Sequence, residues 1–434
     1  MLGLALVGTL IFAIFIGFPI AFTLIILAFT FGYIGFGPVV VPLMITQAYG
    51  MMQEEVLAAA PLFIFMGFLM ERAGLIVRLF HAFRVLMGAV RGSLYLVVLL
   101  TCTVFATATG IIGASVTVIG LLAVPIMLRC GYDPRLTAGV ITAGGCLGIL
   151  IPPSLMLVLL GPVTGVSVIH LFAGAIIPGL MLSAMHIIYA MARSYFQPHL
   201  GPPLPPDERA TSILEPLREL AIGIVPAALL MFAALGTILA GLATPTEASA
   251  MGAAGALLLG LAYRSLTWEG FKDAVYRTAT TSSMILFLAL SANMYAAVFG
   301  RLGTGAWITE QLLALPLPPM GMMILIQVLI FLLAWPLEWP AIILIFVPIL
   351  LPVVTELGFD MLWFSILVAV NLQSAFLSPP VAMAAYYLKG AAPQLDMKDI
   401  FIGMLQFNVI QNLAVVLLLI FPGLALWLPR VLYD

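Results

Sequence analysis

The first thing this sequence lacks is charge. Only 8% of its 434 residues are Asp, Glu, Lys or Arg, against about 25% in soluble globular chains. That is too few to cover a water-facing surface. Residues 1–53 carry no charge at all, and Glu54 is the first charged side chain. A cleavable signal peptide needs a basic leading region, so the first apolar stretch reads as part of the mature membrane domain. Lysine is confined to Lys272, Lys389 and Lys398, none in a GxxxxGK[ST] setting, which excludes a P-loop ATPase. Cys102, Cys130 and Cys146 form no CxxC pair and lie in or beside apolar segments. Neither a disulfide framework nor a zinc site is expected from them. The four histidines make no HExxH and no serine sits in GxSxG, so the chain does not read as an enzyme. A net charge of −2 leaves no basic footprint for nucleic acid.

What is present is hydrophobicity: 64% of the residues, in long runs. Such runs read as an all-α polytopic membrane protein whose solvent is the lipid bilayer. Helices are expected near 2–17, 19–35, 55–71, 136–160, 170–192, 220–241, 246–263, 278–300, 363–388 and 401–429. The one clear shift in composition is 193–219, which holds six prolines and mixed charges. It reads as a cytoplasmic linker between a first half, 1–192, and a second half, 220–434.

Two apolar regions do not read as simple spans. Residues 93–128 are interrupted around Thr109-Gly110-Ile-Ile-Gly113-Ala-Ser115, and residues 320–354 around Trp335-Pro-Leu-Glu338-Trp339-Pro340. Arms of about 13–15 residues reach roughly 20–22 Å, short of a hydrocarbon core about 30 Å thick. Each region therefore reads as a re-entrant helical hairpin, with a pair of tilted spans or one kinked helix as the alternative. The halves also share landmarks at an offset of 227: Pro125 with Pro352, Gly131 with Gly358, Asp133 with Asp360, and Pro152-Pro153 with Pro379-Pro380. This reads as an internal duplication. Alternating the spans places fourteen of the sixteen basic residues on one side and leaves Arg301 and Arg430 on the other. The positive-inside rule makes the first side cytoplasmic. Both termini are then periplasmic, and the matched loops 129–135 and 356–362 fall on opposite faces, so the repeats are inverted.

The chemistry concentrates at two Pro-Pro sites midway along spans. One is Gly144-Gly145-Cys-Leu-Gly148-Ile-Leu-Ile-Pro152-Pro153-Ser154, the other Asn371-Leu-Gln373-Ser374-Ala-Phe-Leu-Ser378-Pro379-Pro380. Two prolines remove two amide donors and break the helix. The freed carbonyl oxygens need protein, water or a cation at membrane depth. Carbonyls beside Ser and Thr hydroxyls make an oxygen cage that suits Na⁺. Thr109, Gly113, Ser115 and Thr117 surround the first tip, and Trp335, Glu338 and Trp339 the second. Glu338, ionisable within an apolar segment, is a functional candidate, with a water-facing loop acid as the alternative. Glu247, after Thr244-Pro245, reads as a helix-capping acid. Asn293 lines the cavity or joins helices.

At these residues the sequence resembles the large membrane subunit of TRAP (tripartite ATP-independent periplasmic) transporters. The resemblance rests on Gly17-Phe-Pro19-Ile-Ala21, Ala60-Pro61-Leu-Phe-Ile-Phe-Met-Gly67, Gly113-Ala-Ser115-Val-Thr117, Gly131-Tyr-Asp133, Leu147 through Ser154, Thr244 through Ala248, and Asn371 through Pro380. It covers essentially the whole chain. Two positions depart from the family pattern: Ser378 stands where Thr is expected, and Glu338 where Asp is frequent. The resemblance implies a bacterial inner-membrane permease of the ion-transporter superfamily, importing an organic acid such as a dicarboxylate, keto acid or sialic acid. It implies an elevator mechanism, a small four-helix membrane subunit, a periplasmic substrate-binding protein, and Na⁺ as coupling ion with no organic cofactor. Carried over, one sodium site comprises Thr109, Gly113, Ser115, Thr117, Gly145, Gly148 and Pro152. The other comprises Trp335, Glu338, Trp339, Ser374, Ser378 and Pro379, with substrate near Ser154, Asn293 and Asn371. A stand-alone dicarboxylate or citrate symporter, coupled to sodium or protons, is the rival reading; a channel would need a ring of matched charges, which is not found.

Overall fold

The structure, a computed structural model, describes residues 2–88, 90–109, 112–205, 214–379 and 382–433. Among these residues every regular element is helical. The first half runs α1 Leu2–Ile16, α2 Ile20–Phe36, α3 Val40–Met52, α4 Ala59–Arg72, α5 Leu75–Met87, α6 Ser93–Thr109, α7 Ile112–Arg129, α8 Pro134–Cys146, α9 Leu155–Thr164 and α10 Val168–Phe196. The second runs α11 Leu214–Leu239, α12 Pro245–Ala262, α13 Trp268–Arg301, α14 Thr304–Leu313, α15 Pro319–Leu333, α16 Trp339–Ala341, α17 Val347–Glu356, α18 Met361–Leu372, α19 Ser374–Leu377, α20 Met383–Ala391, α21 Met397–Ile420 and α22 Gly423–Tyr433. Helices dominate because hydrocarbon offers backbone groups no water, so each segment must bond internally. Many hydroxyls follow the same rule: Thr142 Oγ1 donates to Ala138 O at 2.7 Å and Ser291 Oγ to Phe287 O at 2.6 Å. Six helices among the described residues are long and apolar enough to cross a membrane, and a seventh results if the pair bent by 56° near residue 73 is one span.

The structure adds elements to the sequence reading and corrects others. Residues 40–52 form a helix continuous with α2 through a 3₁₀ turn at Gly37–Val39. The segment 72–91, read as a loop, contains the amphipathic helix α5, with Ile76, Leu79, Phe80 and Phe83 buried and Val77 exposed. Residues 304–313 form α14, and the single helix expected over 401–429 is two, because Phe421-Pro422 ends α21. The proline-rich segment is less free than a linker reading implies. α10 runs on to Phe196, and the residues after it dock: Gly92 N donates to Gly201 O at 2.8 Å, Leu204 N to Gly88 O at 2.9 Å, and Tyr95 Oη to Leu200 O at 2.6 Å. Residues 206–213 lie outside the described residues.

Element boundaries follow the offset of 227. Ile112–Arg129 lands on Trp339–Glu356, a continuous helical stretch comprising α16, a π-helical turn at Ile342–Phe346, and α17. Asp133 caps α8 by accepting from Leu136 N at 2.8 Å, and Asp360 caps α18 by accepting from Trp363 N at 3.0 Å. Gly131 and Gly358 hold φ of 77° and 72°, the left-handed conformation that ends a helix. At the same offset α12 is the counterpart of α2, and α13 that of α3 and α4 together. Packing is reciprocal: α12 lies on α4 while α2 lies on α13, and α8 lies on α21 while α18 lies on α10.

Charged ends meet where alternation of the spans puts them on one face. Arg72 pairs with Asp273, Arg277 with Glu71 at 3.1 Å, and Arg135 with Asp399 at 2.8 Å. Glu247 is a capping residue as read from sequence: its Oε2 accepts from Thr244 N at 2.8 Å, and its own N–H donates to Thr244 Oγ1 at 3.2 Å.

Candidate functional site

Both Pro-Pro segments interrupt helices inside the protein. In the first, α8 gives way to a 3₁₀ turn at Leu147–Ile149, and α9 begins only at Leu155. The Pro152-Pro153 peptide is cis. Gly148, Pro152 and Ser154 are all buried. The Ser154 hydroxyl donates to Ile149 O across the break and caps α9 by accepting from Leu157 N at 3.4 Å. Its proton is thus held by the break itself.

Two glycines seat this break on the first hairpin. A Cβ on Gly145 would lie 2.3 Å from Val116 Cγ2, and one on Gly144 would lie 2.9 Å from Cys102 Sγ. The end of α8 is therefore wedged against both arms, α6 and α7. Ser115 is buried and Thr117 half-buried beside that contact. Thr109 closes α6; residues 110–111, between the arms, lie outside the described residues. Gly113 lies against the ring of Tyr387 on α20.

In the second break α18 ends at Leu372, α19 spans one turn, and Ser378 is extended before Pro379. Pro380 is outside the described residues. Ser374 Oγ donates to Asn371 O at 2.6 Å, while Ser378 Oγ accepts from Asn408 Nδ2 at 2.8 Å. Asn371 ties α18 to the first arm of the second hairpin: its Nδ2 donates to Gln327 O at 2.7 Å and to Gln327 Oε1 at 3.0 Å. The short α16, carrying Trp339, packs on α9 and α13. Trp339 is buried, Glu338 partly so, and Trp335 is 41% exposed with its ring edge-on to Phe331. Asn293 donates to Gln47 O at 3.0 Å and lines a cavity of about 420 Å³ with Glu54, Pro162 of α9 and Pro348 of α17.

Two polar groups here, Gln373 and Gln411, were not singled out as site residues from the sequence. Gln373 is fully buried with neither amide atom partnered, and Asn371 Oδ1 and Gln411 Oε1 have no partner among the described residues. The available signal was a Gln or Asn within an apolar run, as at Gln327. Buried polar groups left unpaired are uncommon and need a reason. Around these breaks the donors are amide, hydroxyl and backbone oxygens, and no group of three His, Cys, Asp or Glu that could hold a metal occurs among the described residues. Neutral oxygen donors with little formal charge fit a hard monovalent cation better than a transition metal.

Fold and site together define an all-α polytopic membrane protein with two polar helix breaks packed against neighbouring helices. Residues 7–424 match the family described as Tripartite ATP-independent periplasmic transporter, DctM component. The C4-dicarboxylate TRAP transporter large permease protein DctM of Rhodobacter capsulatus is 28% identical over 451 residues, covering 100% of both chains. The isethionate TRAP transporter permease protein DctMQ of Oleidesulfovibrio alaskensis is 31% identical over 335 residues; the match covers 77% of this chain and 52% of that longer one. Among solved structures, the YdaH transporter of Alcanivorax borkumensis superposes with a TM-score of 0.64 at 17% identity, covering 88% of this chain and 87% of that one. That likeness concerns the fold. The chain belongs to the DctM family and is a large membrane subunit of a TRAP transporter, and its relatives are permeases.

Proposed function

We propose that this chain is the permease of a sodium-coupled importer that receives a small organic acid from a periplasmic binding protein and carries it inward by an elevator movement. The observation that supports this most is the seating of the first broken helix against a hairpin, Gly145 on Val116. Asn371 and Gln327 join the second break to its hairpin in a comparable way. A break freezes carbonyls in place, and a hairpin tip closes over them; together they form a cage that a cation completes. The relatives are named for C4-dicarboxylates and isethionate, both small organic anions.

Reciprocal packing of matched helices supports the reading of two inverted repeats, 1–192 and 220–434, about a pseudo-twofold axis. On that reading the moving part comprises the hairpins and broken helices. The face bearing Arg72, Arg135 and Arg277 is cytoplasmic, both termini are periplasmic, and the membrane is the bacterial inner membrane. A small four-helix subunit is the membrane partner.

The cation sites are tested by Ser115→Ala and Ser378→Ala. One hydroxyl ligand worth about 1 kcal/mol corresponds to roughly a fivefold rise in the sodium concentration for half-maximal uptake. Ser378→Ala also orphans Asn408 Nδ2, so folded yield is measured alongside. Sodium dependence unchanged in both variants removes these hydroxyls from the sites.

A further inference from the structure

One face of α10 is open along its length. Leu180, Ala184, Ile188, Ala192 and Tyr195 follow one another at steps of three or four residues, so they share that face. Leu180, Ala184, Ile188 and Tyr195 are exposed and Ala192 is half-buried. From Leu180 to Tyr195 the helix rises roughly 22 Å, more than the half-thickness of a hydrocarbon core, about 15 Å. An apolar stripe of that length in a membrane protein faces lipid. Tyr195 and Phe196, 70% and 79% exposed, end it with two rings edge to face at 5.7 Å. Exposed aromatic rings at a helix end mark the membrane–water boundary.

At that end the surface is hollow. A cavity of about 480 Å³ is lined by Met191, Ala192 and Tyr195 and by Val90 and Arg91, in the turn between α5 and α6. The turn is held there by its backbone. Gly92 N donates to Gly201 O at 2.8 Å, and a Cβ on Gly92 would lie 2.6 Å from Ser194 Oγ. Arg91 is exposed, and its guanidinium has no partner among the described residues. Arg193, close by on α10, is held by neutral groups. It donates to Tyr189 Oη at 2.9 Å, Gln197 Oε1 at 3.3 Å and Gln406 Oε1 at 3.4 Å. Two positive charges thus stand at the boundary end of a lipid face, with no carboxylate paired to either among the described residues.

We propose that this hollow binds an anionic phospholipid, its phosphate against Arg91 and an acyl chain along the exposed stripe of α10. A guanidinium fork matches two phosphate oxygens, and basic pockets between membrane helices are where anionic headgroups bind. A zwitterionic lipid brings its own ammonium group, which cancels much of the attraction. A free phosphate would engage Arg91 but leave the apolar wall of Val90, Met191 and Ala192 uncovered, so the lipid is the better fit. Arg91 lies in the turn that leads into α6, so an occupied site ties the base of the first hairpin to α10. This binding does not depend on which ion or substrate the transporter uses.

The experiment follows thermal unfolding of the full chain in phosphatidylcholine nanodiscs into which phosphatidylglycerol is titrated. A ligand that binds the folded state raises the melting temperature, and phosphatidylglycerol is expected to do so in the parent. Arg91→Gln is expected to melt like the parent in phosphatidylcholine alone, but to need at least about tenfold more phosphatidylglycerol for the same rise. Ala192→Trp fills the hollow without changing charge and is expected to weaken the response as well; it decides the matter if Arg91→Gln does not fold. Lys398→Gln removes an exposed positive charge elsewhere and is expected to respond like the parent. Soluble glycerol phosphate is expected not to compete. A parental response in both Arg91→Gln and Ala192→Trp overturns the site. An equal loss in Lys398→Gln overturns it in favour of general charge, and full competition by glycerol phosphate overturns the lipid in favour of a free phosphate.

Discussion

Replacing Gly403 by alanine is expected to leave little folded protein. The new Cβ would lie 2.0 Å from Arg135 O and 2.9 Å from Gly139 N. Both are backbone atoms on α8 and cannot swing aside as a side-chain terminus can. The opposing Gly139 is equally tight, with a built Cβ 2.6 Å from Gly403 O. α8 and α21 meet here nearly backbone to backbone, in the manner of small-residue contacts between membrane helices, where lipid supplies no hydrophobic drive and close packing holds the pair. Overpacking a core costs about 1–3 kcal/mol when side chains can adjust; against backbone the upper end of that range or more is expected. Thermal unfolding of the purified protein reads the effect directly. Gly390→Ala is the control, since a Cβ there meets nothing within 4 Å. Parental melting of the Gly403 variant would show that the two helices do not approach as described.

The second large effect is functional. Gly145→Ala is expected to cut uptake between about 5- and 150-fold, the equivalent of about 1–3 kcal/mol of overpacking. The clash is with Val116 Cγ2, on a β-branched side chain that cannot turn away freely, and Val116 directly follows Ser115. The added methyl therefore drives the first break off the hairpin at the proposed cation site. Val116→Ala opens the same volume, so the double variant is expected to recover most of the uptake lost by Gly145→Ala, a non-additivity that marks direct contact. Additive losses would place the effect elsewhere.

What could be read from the sequence depended on whether the signal was local. Pro152-Pro153 and Pro379-Pro380 announce helix breaks because proline acts on its own turn. Thr244 and Glu247 announce a cap because the box closes within three residues. The equivalence of Asp133 and Asp360 was visible for the same reason, each capping the helix that follows it. α5 was hidden because Arg78 and Arg84 made an amphipathic helix resemble a charged loop in an otherwise apolar chain. No helix was expected over 37–52, yet Gly37–Val39 forms a 3₁₀ turn leading into α3. At the candidate site the residue types were visible and their partners were not. Nothing near Gly145 announces Val116, and nothing near Gly113 announces the Tyr387 ring. Those contacts join residues far apart in the chain, and only the packing of α7 on α8 and α20 creates them.

The account is tested most directly by uptake into liposomes containing this chain, with its small membrane subunit and a periplasmic binding protein loaded with a C4-dicarboxylate or isethionate supplied separately. An inward sodium gradient is expected to drive accumulation when all three proteins are present. Omitting the binding protein, or replacing the sodium gradient by a proton gradient alone, is expected to abolish it. Robust uptake of free substrate by this chain alone, or uptake driven by protons without sodium, would contradict it.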